Sequence, residues 1–163
     1  MRAALVRIDD RLVHGQVLVA WAAALRPDRI ALANEAVARD PGRRALYEGM
    51  EDADFAVSVW TLEEAARALA RDPERGERVL VVVGSAADAD RLSDLGAPIR
   101  HLNLGGLHLG EAKRELVPYV FLSREDAAHL RALLDRGVEI EARDLPGSRG
   151  VRVDAAALER LWP

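Results

Sequence analysis

The sequence predicts a single-domain α/β fold, doubly wound around one mainly parallel sheet of about seven strands flanked by helices. Three observations predict it. Short β-rich runs alternate with Ala/Leu/Glu/Arg-rich stretches of helical period, and most junctions carry a cap or a turn residue. The run Arg78–Val83 (RVLVVV) is almost continuously apolar, as a strand buried on both faces must be. No linker, repeat or low-complexity segment interrupts the 163 residues, so 1–163 reads as one domain.

Taken in order, Ala3–Ile8 reads as the first strand and Gly15–Leu25 as a helix, with Val17, Trp21 and Leu25 on one face. After the Pro27 break, Arg29–Ala33 is a second strand. Asp40-Pro41 then pairs an N-cap with a proline at the first helical position, where the missing N–H costs nothing. Phe55–Trp60 alternates as a third strand, and Thr61-Leu62-Glu63-Glu64 is a capping box opening a helix. Arg78–Val83 is the fourth strand, and Ser85 caps a helix that stops near Gly96. Ile99–Leu104 and Tyr119–Leu122 are further strands. Ser123 caps a helix ending at Gly137, which suits the left-handed residue after a helix. Val138–Arg143 is a last strand and Asp154–Trp162 a terminal helix.

Composition narrows the function classes. Half the residues are hydrophobic, mostly Ala, Leu and Val, with 31% charged and a net charge of −4. That balance lacks the basic excess of a nucleic-acid or membrane-surface partner. The absence of cysteine removes disulfides, thiolate metal sites and thiol catalysis, and fits a cytoplasmic protein. The charged start MRAALVRIDD has no signal-peptide core, and no apolar run approaches the ~20 residues of a membrane span. Any link to a membrane therefore passes through a partner. Four histidines form no HExxH or HxxxH pair, and no P-loop or GxGxxG is present, so the expectation is no metal and no cofactor.

Ligands of open parallel sheets bind beyond the carboxyl ends of the strands. After the first strand comes Asp9-Asp10-Arg11-Leu12-Val13-His14-Gly15-Gln16. Each residue type there has a task in phosphoryl transfer through nitrogen. A neutral imidazole is a nucleophile, and a carboxylate accepting the proton of its other nitrogen fixes the tautomer. A guanidinium offers phosphate oxygens a fork of charge-assisted donors. The same residues also suit a loop with a structural ion pair, and spacing does not separate the two readings.

The run Arg7-Ile8-Asp9-Asp10-Arg11-Leu12-Val13-His14-Gly15-Gln16-Val17 resembles the phosphorylation-site loop of IIB subunits in the mannose/fructose/sorbose family of sugar phosphotransferase systems. Asn34–Pro41, Ile99–His108 with its glycine pair, and Gly137–Arg143 are similar to later segments of that family. Ala36 departs from it, where an acid is common, and Tyr47–Asp54 is a variable stretch. The resemblance implies that His14 takes a phosphoryl group from a phosphohistidine on a IIA domain. It passes that group to a sugar entering through the membrane subunits IIC and IID, with homo-oligomers possible. Nδ1 is then the acceptor atom and Nε2 is left free. Asp9 matches the family's histidine-supporting carboxylate and Arg11 its phosphate-binding arginine. Asp10, Gly15, Gln16, Asn34, Asn103, Gly105, Gly106 and His108 are expected around the phosphate, Asp10 with a structural share.

Among other strand-end residues, Thr61 and Ser85 read as plain N-caps, and Asn34 is the stronger site candidate. His101 and His129 read as structural or surface residues. Two competing functions remain open at this level. One is a regulatory phosphohistidine protein with no sugar-phosphorylating role. The other is a receiver-like domain phosphorylated on Asp9 or Asp10 with magnesium. The receiver reading lacks an aspartate at Trp60-Thr61 and a lysine directly after the fifth strand, since Lys113 lies several residues on.

Overall fold

The computed structural model describes residues 1–71 and 76–162. Its main sheet has seven strands: β1 (Arg2–Asp9), β2 (Arg29–Ala33), β3 (Ala56–Trp60), β4 (Arg78–Val83), β5 (His101–Gly106), β8 (Glu139–Ala142) and β9 (Val151–Val153). They lie in the order β3-β2-β4-β1-β5-β8-β9. All pair parallel except β9, which runs antiparallel to β8 at the edge. Arg114–Val117 (β6) and Val120–Leu122 (β7) form a separate antiparallel hairpin.

Helices cover the two faces unequally. On one face α4 (Leu62–Ala70), α5 (Ala86–Asp94), α6 (Arg124–Asp135) and α7 (Ala155–Leu161) pack on the larger apolar cluster. The other face carries a π-helical turn (Gln16–Trp21) continuing into α1 (Ala22–Leu25), then α2 (Glu35–Ala38) and α3 (Pro41–Glu48). Strand alternation divides the side chains between them. Ala31, Ala33, Val79, Val81 and Val83 enter the first cluster, and Ile30, Leu32, Leu80 and Val82 the second. In β1, Val6 and Ile8 enter the first cluster, so Arg7 between them must face the second. Register sets Arg7 beside Asn103 on β5, and Asn103 beside Glu141 on β8. A polar strip therefore runs across the half of the sheet that the π-helical turn overlies.

The caps read from the sequence form as expected. Asp40 accepts from the N–H groups of Gly42 and Arg43, and Thr61 with Glu64 and Ser123 with Asp126 close capping boxes. Ser85 accepts from Asp88, and Gly96 and Gly137 take positive φ after their helices. β2 and β4 match their predicted bounds.

Five elements differ from expectation. Tyr119–Leu122 does not join the main sheet but pairs with β6, whose polar Arg114-Glu115 start has no strand-like apolar pattern. Val138–Arg143 is not the last strand, because the three residues of β9 add an edge too short to show alternation. The fifth strand lies two residues later than Ile99–Leu104 and runs through both glycines of a pair that reads as a turn. The helix after β1 starts as a π-helical turn, and a one-turn α2 follows β2. Among the described residues no helix is long and apolar enough to cross a membrane.

Gly137 has φ +83° with open space around a would-be Cβ, so an alanine there meets only backbone strain. Gly137→Ala should destabilise by about 1–2 kcal/mol, read as a lower denaturation midpoint at unchanged m-value.

Candidate functional site

The loop after β1 turns sharply because Leu12 adopts a left-handed conformation, φ 60°, closed by its N–H donating to the Asp9 carbonyl at 2.9 Å. Leu12 and Val13 bury into the second cluster, which leaves His14 at the carboxyl edge of the sheet. The His14 carbonyl accepts from Leu18 N–H at 3.0 Å, an α-type bond, so the helix opens on the histidine's own backbone and widens to the π-helical turn from Gln16. Widened turns of this kind recur at functional sites.

Asp9 is the centre of the arrangement. Its side chain is 0% exposed. Oδ2 accepts from Arg7 Nη2 at 2.8 Å and lies 3.0 Å from His14 Nε2. Oδ1 accepts from the Arg11 backbone N–H and from Arg11 Nε, both at 3.2 Å. Burial would raise the pKa of this carboxyl, but the hydrogen bonds from Arg11 and His14 and the charge of Arg7 outweigh it and hold it below the ordinary carboxylate value. An ionised Asp9 oxygen facing Nε2 places the imidazole proton there. Nε2 is therefore engaged rather than free as expected. Among the described residues Nδ1 is the ring nitrogen without a partner, on a side chain 20% exposed.

Two arginines serve the same carboxylate differently. Arg11 is 40% exposed, and its Nη2 also donates to Gln16 Oε1 at 3.0 Å. Arg7 is 0% exposed. Its Nη1 donates to Asn103 Oδ1 at 2.5 Å and to the Arg143 carbonyl at 3.2 Å. Its guanidinium lies 5.0 Å from the centre of the Trp21 ring, whose own N–H donates to the Asp144 carbonyl at 2.9 Å. Burial lowers the Arg7 pKa and Asp9 opposes this, yet an arginine starts so far above neutrality that it keeps its charge.

The structure thus gathers His14, Asp9, Arg11 and Gln16, with Gly106 beside them. A Cβ on Gly106 would sit 3.2 Å from Asp9 Oδ1 and 3.3 Å from Arg11 Nη2. Three expected residues are placed otherwise. Asn103 is buried behind Arg7 and gives its amide N–H to the carbonyls of Arg143 and Glu141, at 3.1 and 3.4 Å. Gly105 is a bulge in β5 rather than a loop residue. Leu104 pairs with Ile8 and Gly106 with Asp9, and a Cβ on Gly105 would fall 1.8 Å from Arg7 Cζ. Asn34 is the N-cap of α2, accepting from Val37 at 3.0 Å, and so plays the part expected of Thr61 and Ser85. Gly15, at φ −49° with open space about it, is not demanded by the backbone.

Asp10 and His108 bind each other at the rim. Asp10 Oδ1 lies 2.6 Å from His108 Nδ1, and Oδ2 accepts from the His108 backbone N–H at 2.7 Å. This pair ties the loop after β1 to the one after β5. His101 faces Glu139 at 3.1 Å and His129 faces Asp90 at 2.7 Å, both away from the site. Among the described residues no group of three or more His, Asp or Glu is arranged to hold a metal ion.

The same fold occurs in known proteins. The family model for the PTS system sorbose subfamily IIB component matches residues 3–159. This chain belongs to that family. It is 32% identical to N-acetylgalactosamine-specific phosphotransferase enzyme IIB component 2 of Escherichia coli over 142 residues, 87% of this chain and 90% of the relative. It is 30% identical to the sorbose-specific EIIB component of Klebsiella pneumoniae over 153 residues, 94% of this chain and 93% of the relative. The crystal structure of the IIBSor domain of the Klebsiella pneumoniae sorbose permease superposes with a TM-score of 0.88 at 29% identity, covering 98% of each chain.

For this sorbose-subfamily IIB chain, reading the sequence misses Arg7 and Trp21 as parts of the site. A charged residue between Val6 and Ile8, two positions before an aspartate, is the signal that marks Arg7 as buried against it.

Asp9→Asn should cost about 3–5 kcal/mol near neutral pH, because it leaves the Arg7 charge buried without its counter-ion. Asp9's native pKa lies below its unfolded value, so the stability from its ionisation is complete above the unfolded value and is lost as pH falls through the native one. Urea unfolding of both proteins against pH should therefore show the gap narrowing toward acid. Gly15→Ala should leave stability unchanged or raise it by up to about 1 kcal/mol, read as the thermal midpoint.

Proposed function

We propose that this chain is a single IIB phosphocarrier domain in which His14 accepts a phosphoryl group from a IIA phosphohistidine and gives it to a sugar, as a protein-Nπ-phosphohistidine–sugar phosphotransferase component. The observation that carries the reading is the contact between His14 Nε2 and the buried Asp9, which leaves Nδ1 as the ring nitrogen with no hydrogen-bond partner among the described residues. In the transfer, Nδ1 forms a bond to phosphorus as the donor's N–P bond breaks and its electron pair returns to the donor imidazole. The proton stays on Nε2, where Asp9 offsets the positive charge that grows on the ring. Arg11, half-exposed beside the histidine, supplies a fork of donors to the phosphoryl oxygens, and Gln16 orients it. Little else is required, since phosphoryl transfer rests on positioning and charge stabilisation.

The relatives support transport over a regulatory role, since they are named as components specific for fructose, N-acetylgalactosamine, mannose and sorbose. The mannose-specific EIIAB component of Escherichia coli, 30% identical over 139 residues, is matched over 43% of its own length. Its name joins an A to a B part, which supports a IIA domain as donor. Membrane subunits IIC and IID are then the route by which the phosphoryl group reaches an entering sugar, and a peripheral position at the cytoplasmic face follows from them. Phosphorylation of Asp9 is disfavoured, because it is 0% exposed and bonded to both guanidinium groups.

Incubation with phosphoenolpyruvate, Enzyme I, HPr and a mannose-family IIA should place an acid-labile phosphate on His14, located by mass spectrometry. His14→Ala should abolish the label while changing stability by no more than about 1 kcal/mol; retained labelling would defeat the assignment. Arg11→Lys should slow transfer by about 10- to 100-fold at little cost in stability, because a point charge cannot replace the fork. A normal rate in that variant removes Arg11 from the phosphate site.

A further inference from the structure

We propose that Arg7 is a positioning residue for the transfer: it keeps Asp9 oriented and anionic when Arg11 turns away to meet the phosphoryl group. The inference rests on His14 being the acceptor.

Two guanidinium groups share one carboxylate, and they differ in freedom. Arg11 is 40% exposed, reaches Asp9 through contacts of 3.2 and 3.4 Å, and is otherwise bonded at its side chain to Gln16. A phosphoryl group arriving at Nδ1 is a stronger attraction for it than a carboxylate already satisfied from several sides. Arg7 has no such choice. It is enclosed, with Asp9 Oδ2 at 2.8 Å, Asn103 Oδ1 at 2.5 Å, the Arg143 carbonyl at 3.2 Å and the Trp21 ring at 5.0 Å.

The backbone is shaped to admit it. Gly105 is the extra residue of a bulge in β5, and any side chain there would occupy the guanidinium's place, with Cβ 1.8 Å from Cζ. The oxygen that Arg7 grips is the same Oδ2 that faces His14 Nε2, so this bond aims the acceptor at the imidazole. Without Arg7, the departure of the Arg11 side chain would leave a buried carboxylate with no guanidinium, held only by the imidazole and the Arg11 backbone N–H, and burial favours its neutral form. A protonated Asp9 no longer selects the Nε2–H tautomer, and the lone pair at Nδ1 is no longer assured.

The test compares wild type, Arg7→Lys and Asn103→Ala, each ¹⁵N-labelled at histidine. Imidazole nitrogen shifts report the His14 tautomer against pH, and single-turnover transfer from phosphorylated IIA reports the rate. Wild type should hold the Nε2–H tautomer. Arg7→Lys, with circular dichroism unchanged, should show mixed tautomers and transfer about tenfold slower or worse. The acid limb of its rate profile should move to higher pH, because Asp9 protonates more readily with a weaker partner. Asn103→Ala, which loosens Arg7 but keeps the ion pair, should move the same readouts less far, and it decides the matter if Arg7→Lys does not fold. A native tautomer, rate and pH profile in the folded variant would overturn the role of Arg7 alone. Failure of wild type to be labelled on His14 would overturn the acceptor assignment beneath it.

Discussion

The buried ion pair between Arg7 and Asp9 is the interaction on which the site depends. Taking two charges out of water costs several kcal/mol per ion, and their attraction offsets this only when geometry is good and the remaining valences are filled. Here the filling comes from distant parts of the chain. Asn103 on β5 and the Arg143 carbonyl after β8 accept from Arg7 Nη1, Arg11 and His14 serve Asp9, and Arg7 Nε alone of that guanidinium is buried with no hydrogen-bond partner among the described residues. The pair therefore joins β1, β5 and the end of β8 at the edge where the histidine loop begins. One consequence is chemical: the carboxylate stays ionised in a place where burial alone would neutralise it.

That pair also explains an asymmetry in the fold. In one half of the sheet, β2 and β4 send apolar side chains into both clusters, each covered by helices, and β3 adds Val57 and Val59 to the second. Across β1, β5 and β8 one face carries Arg7, Asn103 and Glu141 in register. The π-helical turn lays Trp21 on the end of this strip, adding an aromatic face to the guanidinium and a hydrogen bond to the Asp144 carbonyl. Packing and chemistry thus share the residues that place His14 at the sheet's carboxyl edge, where open α/β sheets present their sites.

Much of this was legible in the sequence, for reasons that can be named. β4 declares itself by a continuous apolar run, and the helix starts by capping residues whose hydrogen bonds are local. The cluster Asp9, Arg11, His14 and Gln16 lies within eight residues, so one loop suffices to bring it together. What was hidden depends on contacts far apart in the chain. Asn103 is 96 residues from Arg7, and nothing in its neighbourhood tells a buried partner of an arginine from a ligand of phosphate. Gly105-Gly106 has the composition of a turn, yet the pair stays in β5 because Arg7 fills the space a side chain would take. Asn34 resembled a site residue by its strand-end position and by the family segment it opens, and its oxygen is used in capping α2. β6 and β9 are too short or too polar to carry a period of their own.

The account turns on which imidazole nitrogen is held and which is offered. The most direct measurement is ¹⁵N–³¹P coupling in the phosphorylated, histidine-labelled chain. A coupling to Nδ1 of His14, with Nε2 still carrying its proton, is the result this arrangement of Asp9 and His14 requires. A coupling to Nε2, or a phosphoryl group on His108 instead, would contradict it.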